Sequence, residues 1–194
     1  MHVMMLADYK DKDLVVDILT NSFADNKSVN YIVKQDGERL ERIRNLMRYS
    51  FETCFIFGYV FLSDDKKACA LVNLPDKKKT SVKSVLLDIK FIFLSVGLAN
   101  VKKAIDREAK IKKLQPKEPM NYLWFIGVEP QEQGKGIGSH LLREVIRHAE
   151  LANRPVALET STMSNVRWYQ KFNFLLYNEL DLGYRLFFMI KSEL

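Results

Sequence analysis

The stretch Gln133-Gly-Lys-Gly-Ile-Gly-Ser139 constrains this chain more than any other. An apolar run over 122–128, Tyr-Leu-Trp-Phe-Ile-Gly-Val, leads into it and is closed by Glu129-Pro130. Beyond it, Ile137, Leu141, Leu142, Val145 and Ala149 recur at helical spacing. Strand, glycine turn, helix is an order that aims several backbone N–H groups outward at the positive end of a helix dipole. Such an end holds phosphate oxygens without help from side chains. Gly134, Gly136 and Gly138 suit it because no Cβ stands between backbone and ligand. Two common phosphate loops are excluded by spacing. A P-loop requires glycine where Glu129 stands and Ser or Thr where Gly136 stands. A dinucleotide fingerprint counted from Gly134 requires a glycine at Ser139.

The pattern that fits is Gln-x-x-Gly-x-Gly from Gln133 to Gly138, after Val128-x-Pro130. It resembles the coenzyme A signature of the GNAT superfamily of N-acyltransferases. Residues 159–174, Glu-Thr-Ser-Thr-Met-Ser-Asn-Val-Arg-Trp-Tyr-Gln-Lys-Phe-Asn-Phe, resemble the element that follows in that superfamily: a strand, an asparagine and a helix bearing a tyrosine. Asn165 and Tyr169 are four apart and share a helix face. Asn173 stands where the family usually has glycine. Asn tolerates a left-handed helix end best among the other residues, so the turn is expected to survive. The resemblance spans about residues 120–176. It implies an α/β fold, with a mixed, mostly antiparallel sheet of six to seven strands flanked by helices and a helical insertion before the central strand. The expected organisation is one domain over 1–194, with the insertion at about 76–118.

The 194 residues, 47% hydrophobic and 28% charged, can bury a core without disulfides or metal. Cys54 and Cys69 lack metal-type spacing, and the start of the chain has no basic-then-apolar leader pattern, so a cytoplasmic setting and no metal are expected. His2, His140 and His148 are too scattered for a histidine metal site. The net charge of +6 favours anionic partners. No basic stripe with interleaved aromatics points to nucleic acid, whereas coenzyme A carries three phosphate groups.

In chain order, Val3 to Leu6 opens the sheet, and Asp8 or Asp11 caps a helix with Leu14, Val15, Ile18, Leu19 and Phe23 inward. Residues 25–28 read as a break, and 37–51 as a second helix. Runs 55–62 and 68–74 read as a hairpin about a polar break. The dense apolar run 82–99 is too short to span a membrane and carries Asp88 and Lys90 near its centre. It is expected to be a buried or partnered helix walling an apolar acceptor pocket; a plain core helix or a homodimer contact stays open. Residues 100–119 hold seven basic and three acidic residues around a sparse apolar stripe, which reads as an amphipathic helix with a solvated face. Runs 174–180 and 184–190 form a terminal hairpin.

The chemistry follows from the resemblance. Acetyl-CoA would seat its diphosphate on residues 133–139, with Gln133, Lys135, Ile137 and Ser139 in the loop beside the glycines. Its pantetheine arm would run along the strand, bonding backbone groups of Ile126 and Val128, with Gly127 leaving it room. Tyr169 would donate a proton to the leaving sulfur, and Asn165 would share its face. Glu159 is the nearest carboxylate for the general base, and a purely structural role for it fits equally. The expected partners are coenzyme A and a primary amine, with no membrane. The runner-up is a non-catalytic acyl-CoA-binding domain.

Overall fold

The computed structural model describes residues 4–192; Val3 and His2, both used in reading the sequence, lie outside them. The described chain runs β1 (Met4–Leu6), α1 (Lys12–Phe23), α2 (Lys27–Ile32), α3 (Arg39–Phe57), β2 (Gly58–Ser63), β3 (Ala68–Asn73), α4 (Val82–Phe91), α5 (Val101–Leu114), β4 (Asn121–Val128), α6 (Ile137–Leu151), β5 (Val156–Thr160), α7 (Met163–Gln170), β6 (Leu175–Asp181) and β7 (Arg185–Lys191). The strands form one seven-stranded sheet in the order β1-β2-β3-β4-β5-β7-β6. Every neighbouring pair is antiparallel except β4 and β5. This is the mixed α/β sheet that the sequence led us to expect.

Two cores sandwich the sheet. On one face, α6 buries Leu141, Leu142, Val145 and Ala149 against Ala70, Val72 and Leu158. On the other, α1 and α3 bury Val15, Ile18, Leu19, Met47 and Phe51 against Leu62, Cys69 and Phe125. Strand alternation explains the division, since successive residues of β3 face opposite cores. Asp8 accepts from the Tyr9 N–H and Asp11 answers the Asp8 N–H (3.0 Å), so both aspartates set the approach to α1.

Three readings of the sequence are corrected here. The β-rich run 55–62 is helical through Phe57, because Phe51 and Phe55 stack along α3 at 5.6 Å and carry the helix onward. The strand starts only at Gly58, where a Cβ would lie 2.0 Å from the Val72 carbonyl oxygen. The supposed break at 25–28 contains the start of α2, since the Asn26 side chain accepts from the Val29 N–H (3.1 Å) and nucleates a short helix. The run 82–99 is helical, but much of it is not buried: Val82, Leu86, Phe93 and Leu98 are all more than half exposed. Its one wholly core-facing stretch is Ser95-Val96, in the widened π turn Ile92–Val96 that follows α4. On α5 Ile105 is likewise exposed, and Ile111 makes the buried contact.

Candidate active site

β4 and β5 run parallel but pair only at Asn121 with Val156 and Tyr122 with Ala157. Past that point β4 carries a bulge: Leu71 faces Phe125 and Val72 faces Leu123, so Trp124 is the extra residue. A bulge bends its strand and increases its twist, and the two strands part toward their C-terminal ends. The Glu129 N–H donates to the Lys67 carbonyl (2.8 Å), on the β3 side. Alternation then turns the backbone groups of Ile126 and Val128 toward the cleft. The Val128 carbonyl accepts there from Ser22 Oγ (2.9 Å) and Gln133 Nε2 (3.2 Å). An extended ligand arm alongside β4 would find strand-like partners at these residues.

The glycine turn closes the end of that cleft. Gly134 and Gly136 have φ of +81° and +85°, and a Cβ on either would touch nothing, so backbone conformation rather than crowding demands glycine. Gly136 caps α6 without a side chain, which leaves the first N–H groups of the helix, from Ile137, Gly138 and Ser139, open to an anion. Gly138 is there for close packing, since a Cβ would lie 3.2 Å from Val128 Cγ2. Lys135 points elsewhere: its ammonium pairs with Glu132 at 2.7 Å, both exposed to solvent. Gly127 has a packing reason as well, because a Cβ there would strike Leu19 Cδ2 at 2.9 Å and Ser22 Oγ at 3.1 Å. It lets α1 lie close to the sheet, and it also lines the cavity.

α7 supplies the other wall. Asn165 and Tyr169 both face the same cavity, as their spacing predicts. Trp168 Nε1 donates to Ser139 Oγ (3.1 Å), tying α7 to α6 beside the turn. The Tyr169 ring is buried between Trp168 and Phe174, and its hydroxyl has no hydrogen-bond partner among the described residues. Burial pushes its pKa up, so the phenol is protonated at neutral pH. Asn173 has φ of +64°, the left-handed turn that the substitution for glycine was expected to keep. Asn73 Oδ1 and Ser161 Oγ, both on residues lining the cavity, are buried without a protein partner. Cleft, uncapped helix and orphaned polar atoms together fit a coenzyme A-like ligand.

The cavity, about 1250 Å³, is lined by the glycine turn and Tyr169 and also by residues of α3, α4 and α5, which wall what we call its acceptor chamber. Glu159 projects into this end from β5. Its carboxylate accepts from the Tyr122 hydroxyl and from Gln115 Nε2 (2.9 Å). Burial raises the Glu159 pKa, outweighing these two hydrogen bonds, which lower it. On the same cavity the Tyr49 hydroxyl donates to Asp88 Oδ1 (2.7 Å), while its ring stacks on Phe91 at 4.5 Å and meets Trp124 edge-on at 6.0 Å. The Tyr49–Asp88 pair, Tyr122 and Gln115 were not found from the sequence. Tyr49 and Asp88 lie 39 residues apart, and no local pattern links them. Tyr122 had a signal in retrospect, as the first residue of the run that pairs with the Glu159 strand.

A family model described as an acetyltransferase (GNAT) domain matches residues 94–175, which include β4, the glycine turn and α7. Among solved structures, a histone acetyltransferase HPA2 and related acetyltransferase from Corynebacterium glutamicum aligns with a TM-score of 0.75 at 20% identity, over 98% of this chain and 95% of that one. The C-terminal condensation domain of Ebony, in complex with beta-alanyl-dopamine, aligns at 0.71 with 11% identity over 98% of each chain. A Drosophila melanogaster polyamine N-acetyltransferase that forms N-acetylagmatine aligns at 0.60 with 13% identity, over 98% and 99%. Residues 94–175 thus match a GNAT acetyltransferase domain, and the chain as a whole shares the fold of these structures.

Proposed function

We propose that the protein moves an acetyl group from acetyl-CoA to the primary amine of a small molecule. The observation that carries this reading is the continuity of one cavity from an uncapped α6, along the open side of β4 and past Tyr169, to a carboxylate-bearing chamber. A module that only binds acyl-CoA has no need of the part walled by α3, α4 and α5. The chamber is apolar and aromatic on the Phe91, Trp124 and Tyr49 side and carries Asp88 and Glu159, which suits an amine with an apolar portion. Similar folds bear names of enzymes acting on agmatine and polyamines, and small cationic amines are the first class to try. The buried thiols of Cys54 and Cys69 fit a reducing cytoplasm.

In this reading Glu159 removes a proton from the incoming ammonium, the freed nitrogen lone pair attacks the thioester carbonyl carbon, and the C–S bond breaks. The sulfur takes its proton from the Tyr169 hydroxyl, the nitrogen gives its remaining extra proton to the phenolate so formed, and the neutral amide is released. Glu159 must be ionised to act, so the rate rises with pH through its raised pKa, above the ordinary carboxylate range. Glu159→Gln should remove that acid limb from the pH profile of kcat/KM and lower the plateau by about 10²-fold. A profile unchanged in the variant would leave Glu159 a structural carboxylate. The activity itself is tested by thiol release from acetyl-CoA across agmatine, polyamines, arylalkylamines, amino acids and aminoglycosides. Amine-dependent release is expected with at least one class. Tight coenzyme A binding with no release from any of them would favour a binding module.

A further inference from the structure

α4 is amphipathic in the wrong sense for a helix of a protein standing alone in water. Its one fully buried residue is Ser84, whereas Val82, Val85, Leu86 and Ile89 form a stripe at helical spacing that faces solvent, and Phe93 extends it into the following turn. Of nineteen exposed large hydrophobic residues among those described, eight fall between Val82 and Ile105, so the exposure is concentrated rather than scattered. The charge is concentrated with it. Residues 76–118 hold twelve Lys and Arg against five Asp and Glu, of thirty and twenty-four in the whole chain. The remaining residues therefore carry eighteen against nineteen, and the positive charge of the protein belongs to this insertion. Lys83 and Lys90, seven residues apart and both exposed, run along one side of the apolar stripe.

We infer that the outer face of α4 and the turn after it docks on an anionic lipid surface, with the aliphatic stripe in the acyl boundary and the lysines among the headgroups. The sequence reading set membranes aside because this run is too short and too charged to span one, but lying on a surface is a different requirement. Among the described residues no single helix is long and apolar enough to cross, and the segment through Val96 meets α5 at 101°. Self-association through this face would bring Lys83 and Lys90 of one copy toward those of the other. Nucleic acid would satisfy the charge but offers the aliphatic stripe nothing to bury against.

Flotation of the full chain with vesicles of phosphatidylcholine alone, and of phosphatidylcholine mixed with phosphatidylserine, tests the inference. Binding to the mixed vesicles only, weakened by added salt, is expected. The double variants Leu86→Ser/Phe93→Ser and Lys83→Glu/Lys90→Glu should each weaken it by about tenfold or more. All four side chains are exposed, and circular dichroism establishes that the variants fold. Absence of flotation overturns the inference, as does binding that Leu86→Ser/Phe93→Ser leaves unchanged. Dimerisation in light scattering that the apolar variant abolishes, or DNA retention that the lysine variant abolishes, with no vesicle binding in either case, also overturns it and assigns the face to that partner.

Discussion

Tyr169→Phe is expected to lower kcat by about 10²-fold or more while leaving the Kd for coenzyme A within about threefold. Only the hydroxyl is removed, and it has no hydrogen-bond partner among the described residues. The ring keeps its contacts with Trp168 and Phe174, so the fold loses no packing. A hydroxyl that serves the leaving sulfur matters in the transition state rather than in the ground state, and its loss falls on kcat rather than on binding. Unchanged turnover in the variant would remove Tyr169 from the chemistry. A large loss of thermal stability would mean that the hydroxyl holds the structure together instead. Isothermal titration with coenzyme A, steady-state rates and a melting curve separate the three outcomes.

Gly136→Val should weaken coenzyme A binding by at least about tenfold, because a β-branched residue resists the left-handed backbone that points the α6 amides outward. The room for a Cβ is there, so any loss comes from conformation: φ at Gly136 is +85° and nothing lies within 4 Å of the added atom. Gly136→Asn is the informative partner variant, since asparagine tolerates this region and adds a comparable bulk. It is expected to retain most of the binding. Equal losses in both variants would show that the side chain itself obstructs the ligand, and equal retention would show that the turn does not grip it.

Much of the donor side was legible in the sequence because it is local. A strand, a glycine turn and a helix are consecutive in the chain, and the spacing of Asn165 and Tyr169 fixes a shared face of α7 whatever surrounds it. The left-handed conformation at Asn173 followed from residue chemistry alone. The acceptor side was less legible because it is assembled across long separations: Tyr49 from α3, Asp88 from α4, Gln115 after α5 and Glu159 from β5 meet only in the fold. The packing role of Gly127 was hidden for a related reason. Its neighbour is α1, more than a hundred residues earlier, and a glycine in a strand does not say what approaches it. Phe55-Ile-Phe57 reads as strand by composition, yet packing on Phe51 keeps it helical. The insertion was misjudged because hydrophobicity was taken as burial, and which face of α4 meets the sheet depends on contacts that periodicity cannot specify.

The measurement bearing most directly on the account is a crystal structure of the protein with coenzyme A. The diphosphate should lie within hydrogen-bond reach of the N–H groups of Ile137, Gly138 and Ser139, with the arm along Ile126 and Val128 and the sulfur beside the Tyr169 hydroxyl. Coenzyme A bound away from the α6 N-terminus, or seated there with its sulfur remote from Tyr169, would contradict it.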